Sequence, residues 1–369
     1  MKVGTTEMIH VIIPCYNVEK YLEQAVYSVL HQPYKEIDVV LVDDGSPGAT
    51  PQLCDEIAAR ESRVHVVHKK NGGLSDARNA GIEYALNHLV QGERELLAFL
   101  DGDDIWAPGV LDEEVVNHLQ ADWTEDVISF SGVLANNTLD RFSTKTATLE
   151  CGNVDARSMM WQSQSSHLGA KLFRVEMFQK WGVRFQYKQL YTEDRIFLIQ
   201  FYFLAATARF INKTLHIYRK NRVGIMGSLQ KLSAADHYLP IVDGWLKCDL
   251  FLNNLSERTQ ANAMMGQTLA VTYLVEMVAE HIEKGGKLKD ILEILKKHPH
   301  YPAVESGELV RSSSKVYSMN RLLFKYPGVF VAKYRLIGLM KSAAMKLLSI
   351  LFVANLYEKH RYPFTEIPE

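Results

Sequence analysis

Three carboxylates lie close together in one turn of the chain. The stretch LAFLDGDD, residues 97–104, begins as an apolar segment and ends with Asp101, Asp103 and Asp104. Carboxylates ~4 Å apart repel each other by about 4 kcal/mol per pair at an effective dielectric constant near 20, and a metal ion, a shared proton or solvent could offset this. Asp101 and Asp103 project to the same side of an extended chain. Because Mg²⁺ and Mn²⁺ prefer carboxylates combined with phosphate oxygens, a metal bridging this pair to a diphosphate would relieve the repulsion.

The acidic turn belongs to a regular alternation of strands and helices over the first hundred residues. Apolar strands are predicted for IHVIIPCYN, IDVVLVDDGS, RVHVVHKKNGG and ELLAFLDGDD, and amphipathic helices lie between them. This alternation indicates right-handed βαβ crossovers, and therefore an α/β fold with a largely parallel sheet and helices on both faces. The carboxyl ends of such strands lie along one edge, where ligands bind.

Polar turns follow all four predicted strands, at residues 14–17, 43–46, 69–73 and 101–104. A single strand end can be polar merely because it meets water, but four polar turns at one edge favour a shared crevice for a ligand. No GxxxxGK[ST] segment is present, and no GxGxxG follows the first strand. The usual support for an ATPase or an NAD-dependent dehydrogenase is therefore missing.

The pattern is less regular after residue 125 and predominantly helical after residue 230. DVISFSGVLAN is predicted to form a strand, TKTATLE an edge strand, YTEDRIFLIQFYFLAATARF a long helix, and TLHIYRKNRVGIMGS a strand with a basic loop. From residue 231 helical periodicity continues to the end of the chain. We therefore expect two domains, an α/β domain over residues 1–230 and an α-helical domain over residues 231–369.

Composition argues against several classes of protein. The formal net charge of −2 provides no global basic field for binding nucleic acid. The four cysteines are far apart and form no CxxC pair, which argues against a disulfide or zinc framework and fits a reducing compartment. The early apolar run MIHVIIPCY is short and soon followed by charged residues, so it indicates a first strand rather than a signal peptide. No stretch reaches the ~18 uncharged apolar residues of a membrane-spanning helix.

Five segments together resemble one enzyme family. In the family's order they are VIIPCYNVEKYLEQAVYSVLHQ, VVLVDDGSPGAT, NGGLSDARNAGI, FLDGDDIWAPGVL and YTEDRIF. The chain resembles the inverting family-2 glycosyltransferases with a GT-A fold, in particular those of bacterial capsule and exopolysaccharide synthesis. The resemblance implies transfer of a sugar, with inversion, from a UDP-sugar to a hydroxyl of a glycan or lipid-linked saccharide. It also implies Mn²⁺ or Mg²⁺ as the cofactor.

The resemblance assigns nucleotide-binding or metal-binding roles to six positions. Pro14 and Tyr16 would line the base pocket, and Asp44 would accept a hydrogen bond from uracil. Arg78 would meet the base or the phosphates, Asp101 would hold the ribose or the metal, and Asp103 would ligate the metal. Ordinary structural roles are the alternatives. Tyr16 could only cover the sheet edge, Arg78 could pair with an acid such as Asp76, and Asp104 could be a carboxylate at a helix N-terminus.

A single displacement also requires a base that takes the proton of the acceptor hydroxyl. The resemblance places this base in the segment TED, where Asp194 is the first candidate and Glu193 the second. The alternative is ordinary helix chemistry, with Thr192 as an N-cap and two acids in the first helical turn.

Three further residues near these motifs have open roles. Arg219, in a basic segment, could assist the departing diphosphate. His216 could complete the metal shell or could be structural. Trp106 could stack on a sugar face or could only pack.

A basic and apolar segment lies near the end of the chain. Residues 311–361 contain ten Lys or Arg and one acid, Glu358. On a helix, Leu339, Met340, Ala343, Ala344, Leu347 and Leu348 would form one apolar stripe beside lysines. Such a helix can lie on an anionic membrane, so we expect a cytoplasmic protein that is peripheral on the inner face of the cell membrane. The alternatives are a helix that packs on the protein and a homodimer formed through the C-terminal helices.

Two other functions stay open at this point. A phosphohydrolase could use Asp101 as nucleophile and Asp103 as acid, but such enzymes usually have Thr or Val where this chain has Ile105. That function would also leave VDDGS without a role. The other alternative is a non-catalytic module that binds a nucleotide sugar.

Overall fold

The computed structural model describes residues 8–89, 94–120, 124–139, 142–143, 152–156, 168–187, 192–219, 232–253, 265–299, 301–306, 315–350 and 364–365. The chain forms two compact units. The first comprises Met1–Lys220 together with Phe364–Glu369, and the second comprises Asn221–Pro363. The division falls ten residues before the boundary expected at 230–231. The predicted edge strand TKTATLE and most of the basic loop after Arg219 lie outside the described residues.

The first unit is built from an 11-stranded sheet and six helices among the described residues. The strands are β1 (Met8–Cys15), β2 (Ile37–Asp43), β3 (Val64–His68), β4 (Glu95–Phe99), β5 (Ile105–Trp106), β6 (Val127–Ala135), β7 (Phe142–Ser143), β8 (Gly152–Asp155), β9 (Lys171–Arg174), β10 (Thr207–Arg219) and β11 (Phe364–Thr365). The helices are α1 (Leu22–Leu30), α2 (Thr50–Arg60), α3 (Leu74–Asn87), α4 (Glu113–Gln120), α5 (Val175–Trp181) and α6 (Glu193–Leu204).

The sheet is parallel at its centre and mixed beyond it. Its main order is β11-β7-β6-β9-β4-β1-β2-β3, and β10 pairs with β5, β6 and β8. β1, β2, β3 and β4 run parallel, as predicted. β9 runs antiparallel to both β4 and β6, whereas β10 runs parallel to β6 and antiparallel to β5 and β8. The expectation of a mostly parallel sheet therefore holds for the first four strands and for the pair of β6 and β10, and the sheet beyond β4 is mixed. The strand–helix alternation that indicates parallel pairing stops before these later strands.

Register brings the ends of the central strands to one level. Cys15 pairs with Asp43 across β1 and β2, and Asp43 pairs with His68 across β2 and β3. β4 stops opposite Ile12, where the amide of Leu100 still donates to the Ile12 carbonyl. The turns that follow these strands therefore emerge together at one edge of the sheet.

Both faces of the central strands are covered. On one face, Val26 and Val29 of α1 pack with Val11 of β1 in the main hydrophobic core. On the other face, α3 approaches β1 so closely that a Cβ atom at Gly81 would lie 2.3 Å from Cγ2 of Ile12. Interiors packed at this density shift little, so the strand ends are held rigidly.

A cluster of phenylalanines fixes the position of α6. The ring of Phe197, in α6, stacks on Phe185 with centroids 4.1 Å apart, and it meets Phe99 and Phe173 edge-on. Aromatic pairs with these geometries are favourable beyond their buried area. The apolar body of α6 therefore anchors the two acids in its first turn.

The long helix predicted from YTEDRIFLIQFYFLAATARF is shorter in the structure. α6 ends at Leu204, because Ala205 is extended and the Asp126 carboxylate accepts hydrogen bonds from the amides of Ala206 and Thr207. Thr207 then begins β10, which pairs with β6.

The second unit is helical throughout its described residues. Its helices are α7 (Ala234–Asn253), α8 (Met265–Glu283), α9 (Leu288–Lys296), α10 (Tyr301–Ser306), α11 (Lys315–Lys325) and α12 (Pro327–Ile350). The prediction of helix to the end of the chain is wrong at β11, where Phe364 pairs with Ser143 of β7 in the first unit. Among the described helices, none combines the length and apolar character needed to cross a bilayer.

Candidate active site at the strand ends

Asp44, in the turn after β2, is held by three donors. Its Oδ1 accepts from Nζ of Lys69 at 2.6 Å and from the amide of Gly72 at 2.9 Å, and its Oδ2 accepts from the amide of Gly73 at 2.8 Å. Asp44 is buried, so these bonds offset the loss of its hydration. The turns after β2 and β3 are therefore joined through one carboxylate.

Pro14 and Tyr16 lie beside this turn, at the end of β1. Pro14 is buried within the strand, opposite Val42 of β2. Pro14 has no amide proton to donate to a neighbouring strand. This costs little, because β4, the neighbour on the side that Pro14 faces, ends before this position. Tyr16 is 48% exposed, so its ring is available to a ligand at the strand ends.

Arg78 connects two acidic motifs that are far apart in sequence. Its Nη2 donates to Oδ1 of Asp101 at 2.6 Å, and its Nη1 donates to Oε1 of Glu193 at 3.0 Å. Burial opposes the charge of Arg78, but these two carboxylates raise its pKa above the ordinary value. The alternative pairing with Asp76 is wrong, because Asp76 pairs with Lys69.

Asp103 has the most perturbed carboxyl group of the acidic turn. Burial, together with the neighbouring charges of Asp104 and Asp101, raises the pKa of Asp103 to about 7. Among the described residues, no cation lies within ion-pair distance of its side chain. The repulsion expected from the sequence therefore acts on Asp103, and among the described residues only the charge of Arg219, which forms no ion pair with it, opposes that repulsion.

Asp104 is bound to two residues of β10. It is buried, and its carboxylate accepts from Nε2 of His216 at 2.8 Å and from the backbone amide of Arg219 at 2.7 Å. No helix begins at Asp104, so its expected alternative as a helix N-terminal acid is wrong. Nε2 of His216 is directed at Asp104, and Trp106 is fully buried and packs in the core.

Arg219 binds the backbone of the acidic turn. Its guanidinium donates to the carbonyl of Asp103 at 2.7 Å, to the carbonyl of Asn137 at 2.6 Å and to Oε1 of Gln24 at 2.6 Å. It also lies over the ring of Tyr21, 4.8 Å from the centroid. Three of its five N–H donors are thus bound to the protein, and two are left for other acceptors.

Glu193 and Asp194 begin α6, next to Arg78. Burial raises the pKa of Glu193 to about 7, although its ion pair with Arg78 acts in the opposite direction. Burial also raises the pKa of Asp194, again against the charge of Arg78. Oδ1 of Asp194 accepts a hydrogen bond from the amide of Arg195 at 2.6 Å, whereas Oε1 of Glu193 accepts one from the guanidinium of Arg78.

Thr192, immediately before these acids, is in a strained conformation. Its φ is +57°, a left-handed value that is unusual for a β-branched residue. It makes no side-chain capping bond, so the alternative of ordinary N-capping by Thr192 is wrong. Strain of this kind is concentrated at functional sites, because the surrounding structure must maintain it.

Two lysines near these groups received no individual role from the sequence. Lys69 belongs to the polar turn after β3, and its position in that turn was the available signal. Lys171 is a lysine within the short strand β9, and it is fully buried. Burial lowers the pKa of Lys171 to about 7, against the effect of the Asp194 charge. A single lysine in an apolar strand does not indicate, from the sequence, that its charge interacts with that of Asp194.

The carboxylates of the acidic turn fit one kind of metal ion. Asp103 forms no ion pair with a cation in the described part of the chain, and Asp101 has one oxygen outside its bond to Arg78. No group of three or more His, Cys, Asp or Glu within the described ranges could hold an ion by itself. This donor set suits Mg²⁺ or Mn²⁺, which complete their shells with phosphate oxygens and water, and does not suit a site made only of protein ligands.

Comparisons with known proteins find relatives in one enzyme family. The model of a family described as glycosyl transferase family 2 matches residues 10–190. The glycosyltransferase GlyG of Streptococcus pneumoniae is 30% identical over 242 residues, which are 62% of this chain and 76% of GlyG. The uncharacterized glycosyltransferase EpsJ of Bacillus subtilis is 27% identical over 223 residues, 58% of this chain and 61% of EpsJ.

A solved structure has the same fold. S. aureus TarS 1-349, in complex with UDP-GlcNAc, superposes with a TM-score of 0.60 at 18% identity, over 91% of this chain and 92% of that one. The match confirms the fold class expected from the sequence, a GT-A fold with additional helices. The chain spans 61% of the length of EpsJ, which is a smaller share than it spans of GlyG.

Proposed function

Since this chain belongs to glycosyl transferase family 2, we propose that it transfers a sugar from a UDP-sugar to a hydroxyl of a glycan acceptor, with inversion and with Mn²⁺ or Mg²⁺. The acceptor would be a glycan or lipid-linked saccharide in bacterial surface polysaccharide synthesis. The UDP donor is supported by the likeness to TarS, whose structure contains UDP-GlcNAc.

The buried ion pairs of Arg78 are the observation that carries this proposal. They join Asp101 of the acidic turn to Glu193 of the helix α6, with both bonds at 3.0 Å or less. A group that binds the donor and a candidate base are thereby held against each other. Holding the reactants in a fixed geometry is a large part of the rate enhancement in displacement reactions.

In the proposed reaction, the oxygen of the acceptor hydroxyl attacks the anomeric carbon, and the bond from that carbon to the diphosphate oxygen breaks. The electron pair of the broken bond leaves with UDP, and the hydroxyl proton goes to Asp194. A divalent cation held by Asp103 and Asp101 would supply positive charge opposite the diphosphate. Arg78 holds Glu193 beside Asp194 through their ion pair, and Arg219 keeps the acidic turn in place.

Asp194 is proposed as the base rather than Glu193 because of their hydrogen bonds. Glu193 is bound to Arg78, which would oppose uptake of a proton. Asp194 accepts only a backbone amide among the bonds found for its side chain, so no ion pair opposes uptake of a proton there. It also remains partly accessible to solvent, as a base for an incoming hydroxyl must be.

Slow hydrolysis of the donor provides a direct test. With Mn²⁺ present and no acceptor, the protein should release UDP from at least one UDP-sugar, because water can replace the acceptor hydroxyl. A panel of nucleotide sugars, assayed by UDP release, measures this. Rapid cleavage of p-nitrophenyl phosphate would instead favour the phosphohydrolase. Tight UDP binding without hydrolysis or transfer across an acceptor panel would favour the binding module.

We also propose that the second unit binds the inner face of the cell membrane. α12 buries Phe330 and Tyr334, and on other sides it exposes Val329, Leu336, Leu339 and Met340 to between 56% and 68%. Lys333 and Arg335 lie on the exposed part of the same helix. Exposed apolar side chains flanked by cations are typical of helices that lie on anionic membranes.

Vesicle binding tests this surface. Replacing both Leu336 and Leu339 with serine should weaken binding to phosphatidylglycerol-containing vesicles by about tenfold or more, since two buried side chains contribute at least ~1.5 kcal/mol. Leu250→Ser removes a similarly exposed leucine from α7 and should leave binding unchanged. Cosedimentation measures both. Equal binding by all three proteins would contradict the proposal, and loss of a dimer in light scattering would assign this surface to self-association.

A further inference from the structure

Lys69 makes three contacts at the edge of the nucleotide site. Its Nζ lies 2.6 Å from Oδ1 of Asp44, 2.5 Å from Oδ2 of Asp76 and 2.7 Å from the carbonyl oxygen of Lys70. An ammonium group has three N–H donors, and these acceptors match them in number. Lys69 is therefore fully engaged with the protein and has no donor left for a ligand.

The bonds to Asp44 determine how many acceptors it can offer. A carboxylate provides about four acceptor positions, two on each oxygen. Oδ1 receives Lys69 and the amide of Gly72, and Oδ2 receives the amide of Gly73. One acceptor position is left, and it lies on Oδ2.

The turn that supplies these donors is closely packed. A Cβ atom at Gly72 would lie 2.0 Å from Oδ2 of Asp76, and one at Gly45 would lie 2.8 Å from the amide nitrogen of Asn71. Gly45 also has a φ of +66°, which favours glycine. The donors around Asp44 therefore have little freedom to rearrange for a different ligand.

We propose that Lys69 is a positioning residue that sets the base selectivity of this nucleotide site by filling Oδ1 of Asp44. The single acceptor left on Oδ2 fits a base that presents one ring N–H between carbonyl groups, as uracil does. Guanine presents a ring N–H and an amino group side by side, and the amino group would find no acceptor. This inference rests on the proposed function and on the role that the family resemblance implies for Asp44, which is to bind uracil, and it adds a reason for the specificity.

Three nucleotides test the inference on the wild-type protein. IDP and GDP differ only in the 2-amino group, so they have the same size but different numbers of donors. With Mn²⁺ present, displacement of a fluorescent UDP analogue should show IDP binding about tenfold more tightly than GDP, because the buried amino group has no acceptor. GDP binding as tightly as IDP would overturn the inference without any variant.

Variants of Lys69 test the assignment to this residue. Lys69→Met exposes an acceptor on Oδ1, so the IDP–GDP difference should fall to within about twofold and the preference for UDP over GDP should narrow by about tenfold. Lys69→Arg retains donors and should keep the wild-type preference. Lys70→Met makes the same change of charge at the exposed neighbour and should change nothing. A Lys69→Met protein with the wild-type preference would overturn the inference.

The same measurements separate this inference from the proposed function. A wild-type protein that binds no UDP with Mn²⁺ would contradict both. A wild-type protein that binds UDP, but whose preference does not depend on Lys69, would contradict only the role of Lys69.

Discussion

Replacing Asp194 with asparagine should lower the turnover number by about 10²- to 10⁴-fold, the range expected for loss of a general base. UDP binding in the presence of Mn²⁺ should change by less than about twofold. The reason is that the asparagine side chain has nearly the same shape but cannot take the proton of the acceptor hydroxyl. Burial raises the pKa of Asp194, which makes its carboxylate a stronger base than in water. We therefore expect that bulk water cannot take over its role in the variant. Steady-state transfer or donor hydrolysis, together with UDP titration, measures both quantities.

Glu193→Gln is the matched control, since it removes the neighbouring carboxylate in the same helical turn. Glutamine can still accept a hydrogen bond from Arg78 but loses the ion pair. We expect a smaller loss of turnover and a lower melting temperature, because Arg78 is buried and keeps only Asp101 as a paired anion. A wild-type turnover number for Asp194→Asn, or a larger loss for Glu193→Gln, would assign the base to Glu193 or to another group.

Replacing Asp103 with asparagine should abolish the dependence of nucleotide binding on Mn²⁺ and reduce transfer below detection. Asp103 is the one carboxylate of the acidic turn that forms no ion pair with a described residue. Of the three, its negative charge would therefore be stabilised most by a metal ion. Isothermal titration of UDP, with and without Mn²⁺, measures the first effect. Glu113→Gln removes an exposed acid of α4 and should have no effect on either.

The stability of the Asp103→Asn protein separates a metal ligand from a structural acid. Folding raises the pKa of Asp103 from 3.8 to about 7, so the protonated form is favoured in the folded state. Its stabilising contribution is present below about pH 4 and is lost as the pH rises through about 7. At pH 7.5 without metal, the variant should therefore melt no lower than the wild type. Mn²⁺ and UDP together should raise the melting temperature of the wild type only. A large fall in the variant's melting temperature without metal would contradict this role.

The parallel strands and their polar ends could be predicted from the sequence, because they depend on local patterns. Apolar runs alternating with helical periodicity place the turns that contain Asp44 and Asp103, and the start of the helix that contains Arg78, at one edge, whatever the details of packing. The family motifs add the segment that contains Asp194. The ends of α6 and the pairing of β11 could not be predicted, because they depend on partners distant in the chain, such as Asp126 and β7.

The partners of the charged residues also could not be predicted from the sequence. Arg78 pairs with Glu193, 115 residues away, whereas the nearby acid Asp76 pairs with Lys69. Asp104 resembles its two neighbouring acids in sequence, yet it is buried and bonded to His216, 112 residues away. Such assignments depend on distances of a few ångströms, which residue types and spacing do not define.

A crystal structure with UDP and Mn²⁺, with the ion located by anomalous scattering, tests the central claim most directly. We expect Mn²⁺ within about 2.5 Å of a carboxylate oxygen of Asp103, contacting the diphosphate, and uracil beside Oδ2 of Asp44. An ion or a nucleotide bound away from these two aspartates would contradict the claim that the acidic turn and the turn after β2 form one donor site.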